Sequence, residues 1–377
     1  MDLALNETQL MLRGAVREFI KREVPKSRVR EIDESPSGFD RALWQQMASL
    51  GLPAMPVPEA HGGTASSLMD LAVALESLGE AACPSPLHAC ALSAEVLVAS
   101  GDAGKQQALL PGLASGERVM ALALTEPDYG WDAASVRLEA RAEGGGFRLS
   151  GRKLFVPWAN VADDLLVLAR TAEESAAEDG LTLFHVVCST PGVSSRRQSG
   201  WLGEPACEVT FDRVEVPSSA VVGEAGRAWP AIETALDRAT VLLCASMLGG
   251  VQRVVDMAID YSKTRIAFGV PIGTFQRVQD LVIAALNDAD AIRWSTYEAV
   301  WKLDEGRDDA PLAVSMAKAI ASDGFPRACE NAHYVHAGVG MDLDYGLTNH
   351  TVRSRFSSLY LGDATHHKLR MARLLAL

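Results

Sequence analysis

The chain has 377 residues, 48% of them hydrophobic and 22% charged, a balance that excludes a disordered, collagen-like or coiled-coil protein. Its 48 acidic residues outnumber 35 basic ones, and the net charge of −13 repels nucleic acid and anionic membranes. This length predicts two or three packed units, and any polyanionic ligand must be held by a local basic site.

From the start to residue 117 the pattern is helical. Asn6 caps a segment in which Leu12, Val16, Phe19 and Ile20 fall at helical spacing, before a turn through Pro25. Leu43, Met47 and Leu50 repeat the spacing up to Gly51, and Leu68, Leu71, Leu75 and Leu78 up to Gly79, which reads as a helix end.

Between 118 and 225 the period becomes two. Val119 to Leu124 is an apolar run, Phe147 and Leu149 alternate before a turn at Gly151, Asp164 to Ala169 reads as a buried strand, and Cys207, Val209 and Phe211 alternate again. Gly144, Gly145 and Gly146 predict a hairpin turn rather than a phosphate loop, since no helix follows to offer its amides. Residues 172–180 are small and acidic, as in an exposed loop.

Helical signals return over 229–263, 276–304, 311–335 and 349–376, with Gly324 and Pro326 expected to kink or split the third. The order predicts an α+β multidomain chain: a helical domain (1–117), a β-sandwich or barrel domain (118–225) and a C-terminal four-helix bundle (226–377). The six cysteines form no CxxC pair or clustered metal spacing, so they read as reduced thiols and no metal site is expected. MDLALNETQL lacks the basic stretch and apolar run of a leader, and no window holds about 18 consecutive apolar residues. A cytoplasmic protein is the expectation.

Arg265 brings a planar fork of donors suited to a diphosphate, Phe268 an apolar face and Gln276 an amide, a set that suits a dinucleotide tail. Taken alone, an Arg265–carboxylate pair and a core Phe268 would be the plainer reading. The wider text reverses that choice. VPEAHGG (57–63), TEPDYGWD (125–132), FDRVEVPSSAVVG (211–223) and RIAFGVPIGTFQ (265–276) together resemble the acyl-CoA dehydrogenase family over essentially the whole chain. The last segment matches RxxFGxxIxxFQ at every defined position.

The resemblance implies FAD completed by two subunits of a dimer or tetramer, α,β-desaturation of an acyl-CoA thioester, and electrons passed to an electron-transferring flavoprotein. It places Leu124, Thr125, Gly130, Trp131, Phe155 and Pro157 along the flavin. Arg265, Phe268, Gln276 and Gly338 also fall at cofactor positions, the first and third serving the FAD of the neighbouring subunit.

The chain also departs from the family. Trp131 replaces a serine, and Pro157 replaces a threonine that bonds flavin N5, although proline has neither hydroxyl nor NH. Thr240 stands where many members carry arginine, and Tyr334 to Gly338 replace Gln-x-x-Gly-Gly. The reaction needs a general base for the α-proton. Leu361 occupies the usual glutamate position and Ala239 the alternative one.

Asp363 is the nearest acid, and it reads first as a helix cap. Asp237 and Glu233 read as solvated helix-face residues, and His336 as structural. His366 and His367 are adjacent on a helix and face different ways, which disfavours chelation. Leu361 is expected to line the acyl end of a pocket, and Leu361→Glu to improve a poor dehydrogenase. Two further readings fit the missing base: a catalytically silent subunit of a hetero-oligomeric acyl-CoA dehydrogenase, possessing a paralogous partner, and a flavin monooxygenase on the same fold.

Overall fold

Asn6 begins the first helix as its side chain predicts. Its Oδ1 accepts from the Gln9 amide at 2.9 Å, and Gln9 Oε1 accepts from the Asn6 amide at 3.0 Å, a capping box that opens α1 (Glu7–Glu23). The computed structural model describes residues 4–172, 176–200 and 203–377; positions 173–175 of the expected acidic loop lie outside the described residues. After α1 come α2 (Lys26–Glu34), α3 (Arg41–Ser49), α4 (Leu68–Glu80), α5 (Leu87–Ala99) and α6 (Ala103–Ala114). Val16, Phe19, Leu43 and Met47 are buried as their spacing requires, whereas Leu50, just past α3, is 45% exposed.

The middle of the chain supplies β1 (Met120–Ala123), β2 (Glu139–Glu143), β3 (Gly146–Pro157), β4 (Asp164–Arg170), β5 (Leu181–Val187), β6 (Val193–Arg197), β7 (Ala206–Pro217) and β8 (Val221–Val222). They form one eight-stranded sheet in the order β6-β7-β3-β2-β4-β5-β8, with β1 parallel to β4. Gly144 and Gly145, at φ 59° and 84°, make the expected β2–β3 hairpin. Gly151 does not turn the chain. It absorbs a register shift between β3 and β7 while β3 runs on to Pro157.

Ala121, Leu149, Leu165, Val167, Val209 and Phe211 come from strands spread across the sheet yet share one cluster, so the sheet curls onto its own inner face. Leu166 and Leu168, on the opposite face of β4, join the helical core instead.

The C-terminal part comprises α7 (Trp229–Thr264), the hairpin strands β9 (Ile266–Ala267) and β10 (Val270–Pro271), α8 (Gln276–Asp304), α9 (Ala310–His336), α10 (Leu347–Leu359) and α11 (Ala364–Leu374). Length and composition would let α7 cross a membrane, but the window that qualifies is 72% buried within the fold. Gly79 does not end α4, because α7 crosses there: a Cβ at Gly79 would meet the Ser246 backbone, and one at Gly249 the Glu76 backbone. Both glycines permit close helix approach.

Two expectations about the last helices are corrected. α9 continues through Gly324 and Pro326, its packing against α7 and α8 outweighing the roughly 3 kcal/mol that an interior proline costs. The predicted helix at 349–376 is instead two helices, because Leu361 (φ 59°) and Gly362 (φ 92°) are left-handed. Buried Lys318 stabilises that break, its Nζ donating to the Gly362 carbonyl at 2.7 Å and the Ser358 carbonyl at 3.3 Å.

Candidate functional site

The segment from Thr125 to Asp132 is anchored from behind by a pair the sequence reading missed. Lys153, fully buried on β3, donates to the Leu124 carbonyl at 3.0 Å and to Glu126 Oε1 at 2.7 Å. Glu126 also accepts from the amides of Arg137 at 3.0 Å and Leu138 at 2.9 Å. Burial pulls the lysine down to about 8 despite its carboxylate partner. The available signal was an acid inside TEPDYGWD and a lysine two residues before Phe155, both beside positions already singled out.

This anchor presents Leu124 and Thr125, 4% and 3% exposed, at the edge of a cleft between the sheet and the C-terminal helices. Gly130 packs so closely on Ser135 that no side chain would fit there. The cleft is filled by rings. Tyr129 meets Phe155 edge-on at 5.2 Å, Trp131 meets Tyr360 at 5.6 Å, and Tyr360 stacks on Phe356 at 5.3 Å. Between Leu124, Thr125, Trp131, Phe155, Pro157 and Leu361 the remaining space is about 10 Å³, barely room for one water.

Larger spaces lie on either side of this neck. The inner one, about 80 Å³, is bounded by His88, Pro157, Trp158, Glu204, Met247 and Tyr360. Burial pushes Glu204 up to about 8, and Arg353 and the Trp158 side chain only partly offset it. The outer space, about 400 Å³, is bounded by Trp131, Trp229, Leu236, Leu361, His367 and Arg370.

Leu361 thus borders both the neck and the outer cavity, is 4% exposed, and bonds through its carbonyl to His367 Nε2 at 2.9 Å. Ala239 is fully buried, its carbonyl meeting His88 Nε2 at 2.8 Å. Asp363 accepts from the His366 amide at 2.8 Å and caps α11.

Asp237 differs from its expectation. It is 8% exposed and takes a two-point bond from Arg370 at 2.5 and 2.9 Å, so it is a buried ion-pair member. Glu233 is exposed as expected, 3.7 Å from the same guanidinium. His336 bonds the Ala332 carbonyl at 2.7 Å and the Tyr345 hydroxyl at 2.9 Å, which suits a structural role.

The structure does not bring Arg265, Phe268 and Gln276 to the cleft. They lie on the β9–β10 hairpin and at the start of α8, with Phe268 96% exposed and the Arg265 side chain bonded to none of the described residues. Gly338 is also exposed, on the short turn after α9.

Comparison with known proteins matches residues 6–117, 121–214 and 226–376 to the N-terminal, middle and C-terminal domains of acyl-CoA dehydrogenase. The chain belongs to the acyl-CoA dehydrogenase family. It is 30% identical to cyclohex-1-ene-1-carbonyl-CoA dehydrogenase of Geobacter metallireducens, with 95% of each chain covered. Among solved structures it resembles the ChsE4-ChsE5 complex from Mycobacterium tuberculosis (TM-score 0.89, 26% identity, covering 100% of this chain and 99% of that one). It also resembles a Tcur3481-Tcur3483 steroid ACAD variant (TM-score 0.87, 31% identity, 98% of each chain).

The family is one of FAD-dependent oxidoreductases. Its cofactor fits this chain at one end only. The open Arg265–Phe268–Gln276 surface suits a dinucleotide tail, whereas a gap of about 10 Å³ admits no isoalloxazine ring between Phe155 and Leu361.

Proposed function

We propose that this chain is one subunit of an FAD-dependent acyl-CoA dehydrogenase that desaturates an acyl thioester, and that its own cleft performs no chemistry. The observation that carries this reading is the neck of about 10 Å³, filled by Tyr129 and Trp131 beside a leucine at the base position. FAD supplies the family's hydride acceptor. The carboxylate for the α-proton would come from a paralogous partner, because Leu361 and Ala239 carry none and Asp363 is engaged as a cap.

In this reading Arg265, Phe268, Gln276 and Gly338 cover the tail of a flavin whose ring sits in the partner. Leu124, Thr125, Gly130, Phe155 and Pro157 keep their family positions around a closed half-site. The likeness to the ChsE4-ChsE5 complex supports an assembly of two kinds of chain. An electron-transferring flavoprotein as acceptor, a cytoplasmic location, and units spanning 1–117, 118–225 and 226–377 belong to the same proposal.

The test is to purify the chain alone and together with a co-expressed paralogue. The chain alone should be colourless and the pair yellow, with anaerobic bleaching by acyl-CoAs only in the pair. A yellow protein that bleaches by itself would overturn the reading and return Asp363 to consideration as the base.

A further inference from the structure

Away from the cleft, where the ends of α1 and α4 and the start of α2 meet α7 and α10, lies a separate space of about 430 Å³, the size of a small-molecule site. Its charged lining is Lys21, Lys26 and Arg253 against one acid, Glu80. Glu80 is already taken by a two-point bond from Arg17. Arg253 is half-buried and bonded to none of the described residues. The space is therefore positive, on a chain whose net charge is −13.

Lys26 is held in place rather than waving in solvent. Its Nζ donates to the Tyr345 carbonyl at 2.8 Å and lies 5.3 Å from the centre of that ring, and its Cδ stands only 3.1 Å from where a Cβ at Gly346 would be. Two of its three hydrogens remain to be given. Burial, and then the facing Arg253 charge, hold the ammonium below its usual value. Like charges fixed side by side without a carboxylate between them point to an anion that joins them.

Two further features aim at the same place. Gly346, the N-cap of α10, has no side chain to offer, and no described side chain accepts from the amides of Leu347, Thr348 or Asn349. That leaves the positive end of a 13-residue helix open toward the space. His350 on the next turn is 5% exposed, lines both this space and the inner cavity, and is hydrogen-bonded to none of the described residues. Burial, joined by Arg353, Arg253 and Lys26, drops its imidazole to about 3, so the ring is neutral and has one N–H to donate.

We propose that this space binds a phosphate monoester with a small apolar body. The dianion is held by Lys26, Arg253 and the first amides of α10, with Lys21 at the exposed rim and His350 as a further donor. Val24, Ala82 and Met257 supply the apolar wall. Arg265 ends α7 about 18 Å along the axis from Arg253, at 1.5 Å per residue, so this is not the dinucleotide-tail surface. The inference does not rest on the subunit reading.

The test is calorimetric titration of the purified chain with n-butyl phosphate, inorganic phosphate and glutarate. Butyl phosphate should bind, more tightly than inorganic phosphate because of the apolar wall and more tightly than glutarate because one compact dianion meets all the donors. Lys26→Met keeps the stem and removes the charge, and Arg253→Gln removes the fork. Each should weaken butyl phosphate at least about tenfold, the effect of losing a hydrogen bond to a charged group, with circular dichroism verifying the fold. Butyl phosphate should also raise the thermal midpoint of the parent, and raise that of Arg253→Gln less.

No heat from butyl phosphate at millimolar concentration would overturn the proposal, as would unchanged affinity in both folded variants. Tighter binding of glutarate would overturn the phosphate assignment, and equal binding of inorganic phosphate the apolar body. Excess FAD should leave the butyl phosphate titration unchanged. Displacement by FAD would give the space to the cofactor and overturn the proposal, whereas independent catalysis by this chain would refute the subunit reading without affecting this result.

Discussion

Leu361 is held in a left-handed backbone (φ 59°) that a branched side chain adopts only at a cost, which the bonds from His367 to its carbonyl and from Lys318 to the next one offset. The sequence alone predicts that Leu361→Glu restores a base. The filled neck changes that expectation: the new carboxylate would be buried beside Tyr360 with no ring to work against. Leu361→Glu alone should therefore destabilise the chain and leave acyl-CoA-driven bleaching absent, and detectable reduction by this single variant would contradict the closed cleft. At Asp363, replacement by Asn should preserve stability because both residues cap well, while Asp363→Ala should lose about 1 kcal/mol in urea unfolding. Glu204 gives a pH signature. Its folded carboxyl titrates at about 8, raised by burial, against about 4.3 in the unfolded chain. Between those values the folded state keeps a proton that the unfolded chain has released. The stabilising contribution is whole below pH 4 and is lost as pH rises through 8. Glu204→Gln stays neutral throughout, so the urea midpoint of the parent should fall relative to that of the variant between about pH 4 and 8 and level off above that. A constant difference would show that Glu204 is already ionised in the folded chain.

Glycines in helices separate the elements held by packing from those that are merely helical. Gly14 lies on the exposed face of α1 with nothing within 4 Å of an added Cβ, so Gly14→Ala should stabilise by about 0.5–1 kcal/mol. Gly249 lies where α7 meets the Glu76 backbone of α4, and Gly249→Ala should cost about 1–3 kcal/mol through overpacking. Thermal midpoints moving in the same direction for both variants would refute the close crossing. The same contrast explains what could be read in advance. α7 and α8 were legible because their apolar repeats run uninterrupted for many turns. Gly79 was misread because a glycine that admits a neighbouring helix looks, in one dimension, like a glycine that ends its own. The break at Leu361–Gly362 was hidden because apolar spacing continues on both sides. At the site, the singled-out segments held most of the cleft-lining residues, but the Lys153–Glu126 and Arg370–Asp237 pairs join positions 27 and 133 residues apart. Only the folded arrangement reveals such partners.

At the scale of the whole molecule, the residues that suit a flavin are divided between a closed interior and an open surface. Phe268 is 96% exposed and Ile266 54% on the β9–β10 hairpin, and Ile283 and Trp294 on α8 are 54% and 55% exposed. At the hairpin Phe268 meets Phe275 at 6.1 Å close to Arg265, whose side chain bonds to none of the described residues, and this makes a surface suited to an anionic, partly aromatic ligand shared with another subunit. If that surface clamps the tail of a partner's FAD, cofactor content and assembly are linked: each bound flavin stabilises the contact by mass action, and losing the contact exposes the flavin. Arg265→Ala should then lower both the flavin absorbance per complex and the fraction of intact complex, read together by light scattering behind size exclusion. Arg265→Lys keeps the charge but not the two-point fork, so it should fall between parent and alanine variant. Added FAD should shift the alanine variant back toward the assembled state. Full flavin content and unchanged mass in Arg265→Ala would mean that the hairpin touches neither the cofactor nor the partner, and the subunit proposal would then lose its interface.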